Sequence, residues 1–159
     1  MTKPSATKLP PSSWTFFTDR DLGNAIPDAL VAAGYVVVRH DQIFGPRTRD
    51  EHWLPVVAQR SWLTLSHNKR IRHVAIERDA AMRSGVALFL LIGKMPHAEL
   101  AKNLVATVPR IIEFRERHAP PFIARVFRPA PMFAVGSKPG AVEMALTESE
   151  WIKHLRRGR

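Results

Sequence analysis

The sequence predicts an α/β fold, a three-layer α/β/α sandwich around a mainly parallel sheet of five strands. Short β-branched or apolar runs alternate with stretches of helical period, which implies right-handed crossovers between parallel strands. Val86 to Ile92 is apolar at every position, as a strand covered on both faces requires. With 159 residues, 45% of them hydrophobic, the chain can bury one core without staples and would be cramped as two domains.

Each element has its own signal. Trp14-Thr15-Phe16-Phe17 reads as the first strand and ends in Thr18-Asp19-Arg20-Asp21. A helix over Ala25 to Ala33 tolerates Pro27 in its first turn and stops at Gly34, placed just after the C-cap. Tyr35 to Val38 is a β-branched second strand. Gln42 to Arg49, with Gly45 and Pro46, reads as a loop that hands over to Asp50 as N-cap of a helix reaching Arg60, its first turn disturbed by Pro55. Trp62 to Leu65 is the third strand, followed by Ser66-His67-Asn68, a basic segment and a short helix over Glu77 to Arg83. After the apolar fourth strand, Ala98 to Arg117 carries Leu100, Leu104, Val108, Ile111 and Ile112 on one stripe, with a kink expected at Pro109. Phe122 to Phe127 is the fifth strand.

Three regions follow from composition: a flexible segment 1–13, a domain 14–128, and 129–159 as an extended connector with a terminal helix. Thr147 and Glu150 have capping-box spacing before Trp151, Ile152 and Leu155, a stripe that docks on the domain or meets a partner. Of the four tryptophans, Trp53 and Trp62 fall in core-like positions, whereas Trp151 is expected to be exposed or at a partner surface.

Composition excludes several chemistries. Without cysteine there is no disulfide framework, thiolate metal site or thiol nucleophile, which fits a reducing cytoplasm. No apolar run approaches the roughly 20 residues of a membrane span, and the first residues lack the apolar stretch of a secretory signal, so no membrane association is expected. The seven histidines are scattered without zinc-type spacing. Neither a Gly-rich phosphate loop nor a Gly-x-Ser-x-Gly elbow is present, so no nucleotide cofactor is expected.

Charge is the strongest compositional signal. Lysine and arginine number 24 against 14 aspartates and glutamates, a formal net charge of +10. Residues 14–137 hold 17 basic and 11 acidic groups, so +6 of it lies in the body. A basic body attracts polyanions such as RNA, DNA or anionic lipid, and equally keeps a surface solvated.

In an open parallel sheet, ligands gather beyond the carboxyl ends of the strands. Asp19 falls there after strand one, Asn68 after strand three, and Asp50 with Glu51 at the start of the intervening helix. Converging carboxylates in a basic surround are what a hard divalent cation needs, and Mg²⁺ or Mn²⁺ so held can activate water against a phosphate. Each acid taken singly also has an ordinary role, Asp19 and Asp21 in a turn and Asp50 as a cap. Arg20 lies beside Asp19, where it meets a phosphate or pairs with a carboxylate. Lys69, Arg70 and Arg72, next to Asn68, line an RNA path or a solvated face.

The ordered set Phe17-Thr18-Asp19-Arg20-Asp21-Leu22-Gly23, Leu30 to Tyr35, Asp50 to Leu54 and Leu63 to Arg72 resembles the PIN-like domain family. Its nearest branch is that of the VapC-type ribonuclease toxins of bacterial toxin–antitoxin pairs. The stretch Pro120 to Val126 resembles the closing strand of that branch. The resemblance implies an α/β/α sandwich and a cytoplasmic endoribonuclease toxin, dependent on Mg²⁺ or Mn²⁺ and acting on single-stranded RNA. It further implies a cognate antitoxin, which would cover the acidic pocket, and the terminal helix could serve that partner or a homodimer. Asp19 and Asp50 match the family's catalytic acids, with Glu51 a neighbouring metal ligand. The place after strand three departs from the pattern, because Ser66-His67-Asn68 stands where the family has Thr, any residue, Asp. Asn68 keeps an oxygen ligand but not the charge. Three readings stay open: a natural loss of catalysis that leaves an RNA- or antitoxin-binding module, a site in which the remaining acids suffice, and a deliberate isosteric change of an aspartate.

Overall fold

The computed structural model describes residues 14–67, 71, 74–93, 97–129 and 139–158. In chain order they form β1 (Thr15–Thr18), a single 3-10 turn (Arg20–Leu22), α1 (Ala25–Ala32), β2 (Val36–Arg39), α2 (His40–Ile43), α3 (Asp50–Gln59), β3 (Leu63–Ser66), α4 (Ala75–Ser84), β4 (Ala87–Ile92), α5 (His97–Arg117), β5 (Phe122–Phe127), β6 (Val142–Thr147) and α6 (Glu148–Arg157). The sheet order is β2-β1-β3-β4-β5-β6. The first five strands are parallel and β6 pairs antiparallel with β5. The α/β class and the mainly parallel sheet stand as expected, while the strand count is six rather than five, because part of the presumed connector folds as β6.

Alternation along each strand sends successive side chains to opposite faces, and both faces are covered. Phe16, Leu65, Phe89 and Ala124 share one core with Ile26 and Leu30 of α1 and Leu104, Val108 and Ile111 of α5. Phe17, Leu88, Leu90 and Ile123 share the other with Trp53 and Val57 of α3, Met82 of α4 and Trp151 of α6. This is the three-layer sandwich.

Local chemistry sets the boundaries. Gly34, at φ 96°, supplies the left-handed turn after α1 that a side chain would resist. Two short-range expectations need correcting. Residues 40–43 overlap the start of the loop read over Gln42 to Arg49, yet they form one helical turn, closed by Gln42 accepting from the Arg39 N–H. Asp50 is not an N-cap but the first helical residue after Arg49; its carboxylate accepts from the Trp53 indole N–H at 3.0 Å instead. The helix still runs through Pro55 to Gln59.

The terminal helix begins with the expected capping box, Thr147 and Glu150 exchanging hydrogen bonds. Trp151 corrects its own forecast: it is 7% exposed, donates its indole N–H to Asp79 Oδ1 at 2.9 Å and lies under the Arg83 guanidinium. The helix therefore docks on α4. Gly140 fixes the entry to β6, with its N–H on Thr107 Oγ1 at 2.9 Å and its carbonyl accepting from Arg110 at 2.9 Å. Among the described residues no helix is long and apolar enough to cross a membrane.

Candidate active site

Parallel register brings the carboxyl ends of β1, β2 and β3 to one edge of the sheet. Thr18 pairs with Arg39 on one side and Leu65 on the other, so Asp19 emerges between the ends of β2 and β3. Its backbone N–H continues the ladder to the Leu65 carbonyl at 3.0 Å. Its carboxylate is held at both oxygens, Oδ1 accepting from the Arg20 N–H at 2.7 Å and Oδ2 from the Ser66 hydroxyl at 3.0 Å. Asp21, one turn on, accepts from the His67 N–H at 3.2 and 3.3 Å. The chain turns sharply here because Gly23 takes φ 65° between the 3-10 turn and α1.

The acids feel one another. Burial first, then the negative charges of Asp21 and Asp50, lift the Asp19 carboxyl to about 6 against the lowering bonds from Arg20 and Ser66. Asp21 is raised by burial and by Asp50, partly offset at His67. Asp50 is raised by burial first, then by Glu77 and Glu51, with the Trp53 bond and the Arg20 charge opposing. Both α3 and α4 carry acids in their first turns, Asp50 and Glu51 in one and Glu77 in the other, where helix dipoles favour negative charge. The sheet edge and two helix starts thus assemble a pole of mutually repelling carboxylates.

The expected site residues fall as follows. Asp19 and Asp50 come together, with Arg20 electrostatically coupled to Asp50; Arg20 also donates to the Pro46 carbonyl. Glu51 is exposed on α3 and pairs with Arg49 at 3.8 Å. Asn68, Lys69, Arg70 and Arg72 lie outside the described residues. His67 serves as a tie, its ring Nε2 bonded to the Gly93 carbonyl at 3.1 Å, which joins the ends of β3 and β4. Sequence reasoning missed Glu77, whose link to Asp50 is nonlocal. The available signal was its position in the first turn of the helix after β3, the same place Asp50 holds after β2.

Hard oxygen donors of this kind suit a divalent cation of the Mg²⁺ or Mn²⁺ class. Among the described residues, however, no three His, Asp or Glu side chains are grouped closely enough to hold a metal ion. Two carboxylates, Asp19 and Asp50, are the centre of the pole, and the fit to a cation is one of donor chemistry.

Neither a comparison with curated proteins nor one with solved structures returned a match. A scan against family models matched residues 15–93 to a PIN like domain, the stretch from β1 to the end of β4 that contains Asp19, Asp21, Asp50 and Glu77. PIN-like domains use divalent metal ions as a rule and are in general nucleases, hydrolases of phosphodiester bonds. Through this segment the chain belongs to the PIN-like domain family and is a nuclease-type module.

Proposed function

We propose that the protein is a divalent-metal-dependent endoribonuclease acting on single-stranded RNA, with Asp19 and Asp50 as its central acids. The observation that carries the reading is the pole itself: burial and the neighbouring carboxylates hold the Asp19 carboxyl at about 6, a cost that bound cation and substrate phosphate would relieve. A bound Mg²⁺ or Mn²⁺ would supply activation of water and stabilise charge on the phosphate. The chain's own residues do the rest. Ser66 and the Arg20 N–H fix the Asp19 carboxylate in one orientation, Trp53 does the same for Asp50, and Arg20 offers a cation beside them. The basic body charge concentrates RNA near the acids, with Lys69, Arg70 and Arg72 on its path.

The toxin role, with a cognate antitoxin covering the pole, rests on the resemblance of the ordered motifs to VapC-type ribonucleases; so does a homodimer. A second reading is favoured by Asn68 and by the lack of a three-ligand group among the described residues: an RNA- or antitoxin-binding module without turnover.

One experiment separates them. Single-stranded RNA is incubated with Mn²⁺ and this chain, Asn68→Asp or Asp19→Asn. The nuclease reading expects faster cleavage with Asn68→Asp than with this chain and none with Asp19→Asn. Intact RNA with both this chain and Asn68→Asp overturns it in favour of the binding module.

A further inference from the structure

β4 and β5 run on past the level of Asp19. Register carries Thr18 across to Leu65, Phe89 and Ala124, so Asp19 is level with Arg125 on β5, while Ile92 and Phe127 pair further out. The ends of these two strands therefore stand as a wall beside the acids. Three strand spacings, about 14 Å, separate β1 from β5 along the edge.

Arg128 crowns that wall. Its side chain folds over Gly93 at the end of β4, where a methyl on the glycine would stand 3.4 Å from Arg128 Cδ and 3.5 Å from Nε. Gly93 takes φ 130°, a conformation that side chains resist, so the seat stays open to the arginine stem. The carbonyl of the same glycine is bonded to the His67 ring, and the His67 N–H donates to Asp21. One series of contacts, Asp21 to His67 to Gly93 to Arg128, thus runs along the carboxyl edge from the acids to the guanidinium. The backbone under Arg128 is fixed as well: Phe127 donates to the Ala141 carbonyl at 2.9 Å, and Gly140 approaches the Phe127 carbonyl more closely than a side chain would allow.

The charge held there is not spent within the fold. Arg39 pairs with Asp28 and Asp41, and Arg49 with Glu51, whereas Arg128 is exposed and makes no ion pair among the described residues. A seated guanidinium with no carboxylate of its own, at the edge where ligands gather, suits an anion from outside. The neighbouring pole repels a phosphodiester, and a fixed cation on its flank offsets that repulsion.

We propose that Arg128, seated on Gly93, grips a backbone phosphate of single-stranded RNA a few nucleotides from the bond that is cut, so that the strand crosses the carboxyl edge from β1 towards β5. The inference rests on the nuclease reading for its substrate class. It adds the direction in which the substrate lies, which the acids alone leave open.

Fluorescence anisotropy in EDTA measures the binding of a labelled ten-uracil RNA over a potassium chloride series, with wild type, Arg128→Ala, Arg128→Lys, Gly93→Ala and Arg117→Ala. Arg117 ends α5 at the opposite edge of the sheet and reports the diffuse effect of one lost charge. Arg128→Ala should weaken binding and make log affinity against log salt shallower by about 0.7, one phosphate on a single strand. Arg128→Lys should restore the slope, Gly93→Ala should reproduce part of the loss by displacing the stem, and Arg117→Ala should leave the slope in place. Arg128 is exposed, so Arg128→Ala keeps the test sound should Gly93→Ala fail a melting check. Equal slopes for wild type and Arg128→Ala overturn the proposal. So does an equal change in Arg128→Ala and Arg117→Ala, which would mark a diffuse basic surface. Cleavage is scored separately with Mn²⁺, where Arg128→Ala should raise KM and leave kcat. A slope change without cleavage by either this chain or Asn68→Asp sinks the nuclease reading alone, and cleavage whose KM ignores Arg128→Ala sinks the phosphate contact alone.

Discussion

The Ser66 hydroxyl donates to Asp19 Oδ2 at 3.0 Å, joining residues 47 apart in sequence across the ends of β3 and β1. This bond favours the ionised carboxylate, against burial and the charge of Asp21. Removing it in Ser66→Ala should push the Asp19 carboxyl above about 6 and move the acid limb of any pH–rate profile upward, measured by carboxyl NMR titration beside the rate.

Asp19 also links pH to stability. Its folded value of about 6 exceeds the unfolded 3.8, so the native state binds more protons between them and stability falls as pH rises through that window. The loss is on the order of 3 kcal/mol and is complete above pH 6. Asp19→Asn should therefore be more stable than wild type at pH 8, flatten the urea-midpoint profile between pH 4 and 6, and abolish cleavage. Equal midpoints at pH 8 would remove the electrostatic account of the pole.

Cation binding should show without turnover. Mn²⁺ at a hundred times its dissociation constant should stabilise the fold by about 2.7 kcal/mol. A thermal-shift titration reads this, and the shift should shrink in Asp50→Asn and grow in Asn68→Asp.

Trp151→Ala should cost roughly 3 kcal/mol in chemical denaturation, because it empties a buried indole site and strips Asp79 of its donor. RNA cleavage per folded molecule should not change, since the indole is held on α4 by Asp79 and Arg83, neither of which is among the site acids.

Gly140→Ala tests the entry to β6. A methyl there would stand 1.6 Å from the Phe127 carbonyl oxygen, backbone that cannot step aside. The expected loss is on the order of 3 kcal/mol, with the Thr107 and Arg110 bonds weakened, read as a lower melting temperature.

What the sequence made legible was periodic. Strands β1 to β5 and the long helices announced themselves through apolar runs and stripes, and Gly34 and the Thr147 capping box through local hydrogen-bond chemistry. The misses were short or nonlocal. A four-residue α2 has too few positions to show a period. Val142 to Thr147 is short and follows Pro139 and Gly140, and its partner β5 supplies what its pattern lacks. Trp151 sits among charged residues in sequence, while its partner Asp79 lies 72 residues away. For the candidate site, strand-end placement of Asp19 and helix-start placement of Asp50 pointed to two acids that the structure couples electrostatically. Glu77 was out of reach because only the packing of α4 beside α3 brings it to Asp50.

The antiparallel sixth strand has a consequence for solubility. By covering β5 it becomes one edge of the sheet, and among the described residues β2 is the other flank. That flank reads Val36-Val37-Val38 before a single charge, with Val36 exposed, the pattern of a sticky edge. Arg39, pinned between Asp28 and Asp41, is thus a gatekeeper, and self-association at high concentration should begin along this valine row.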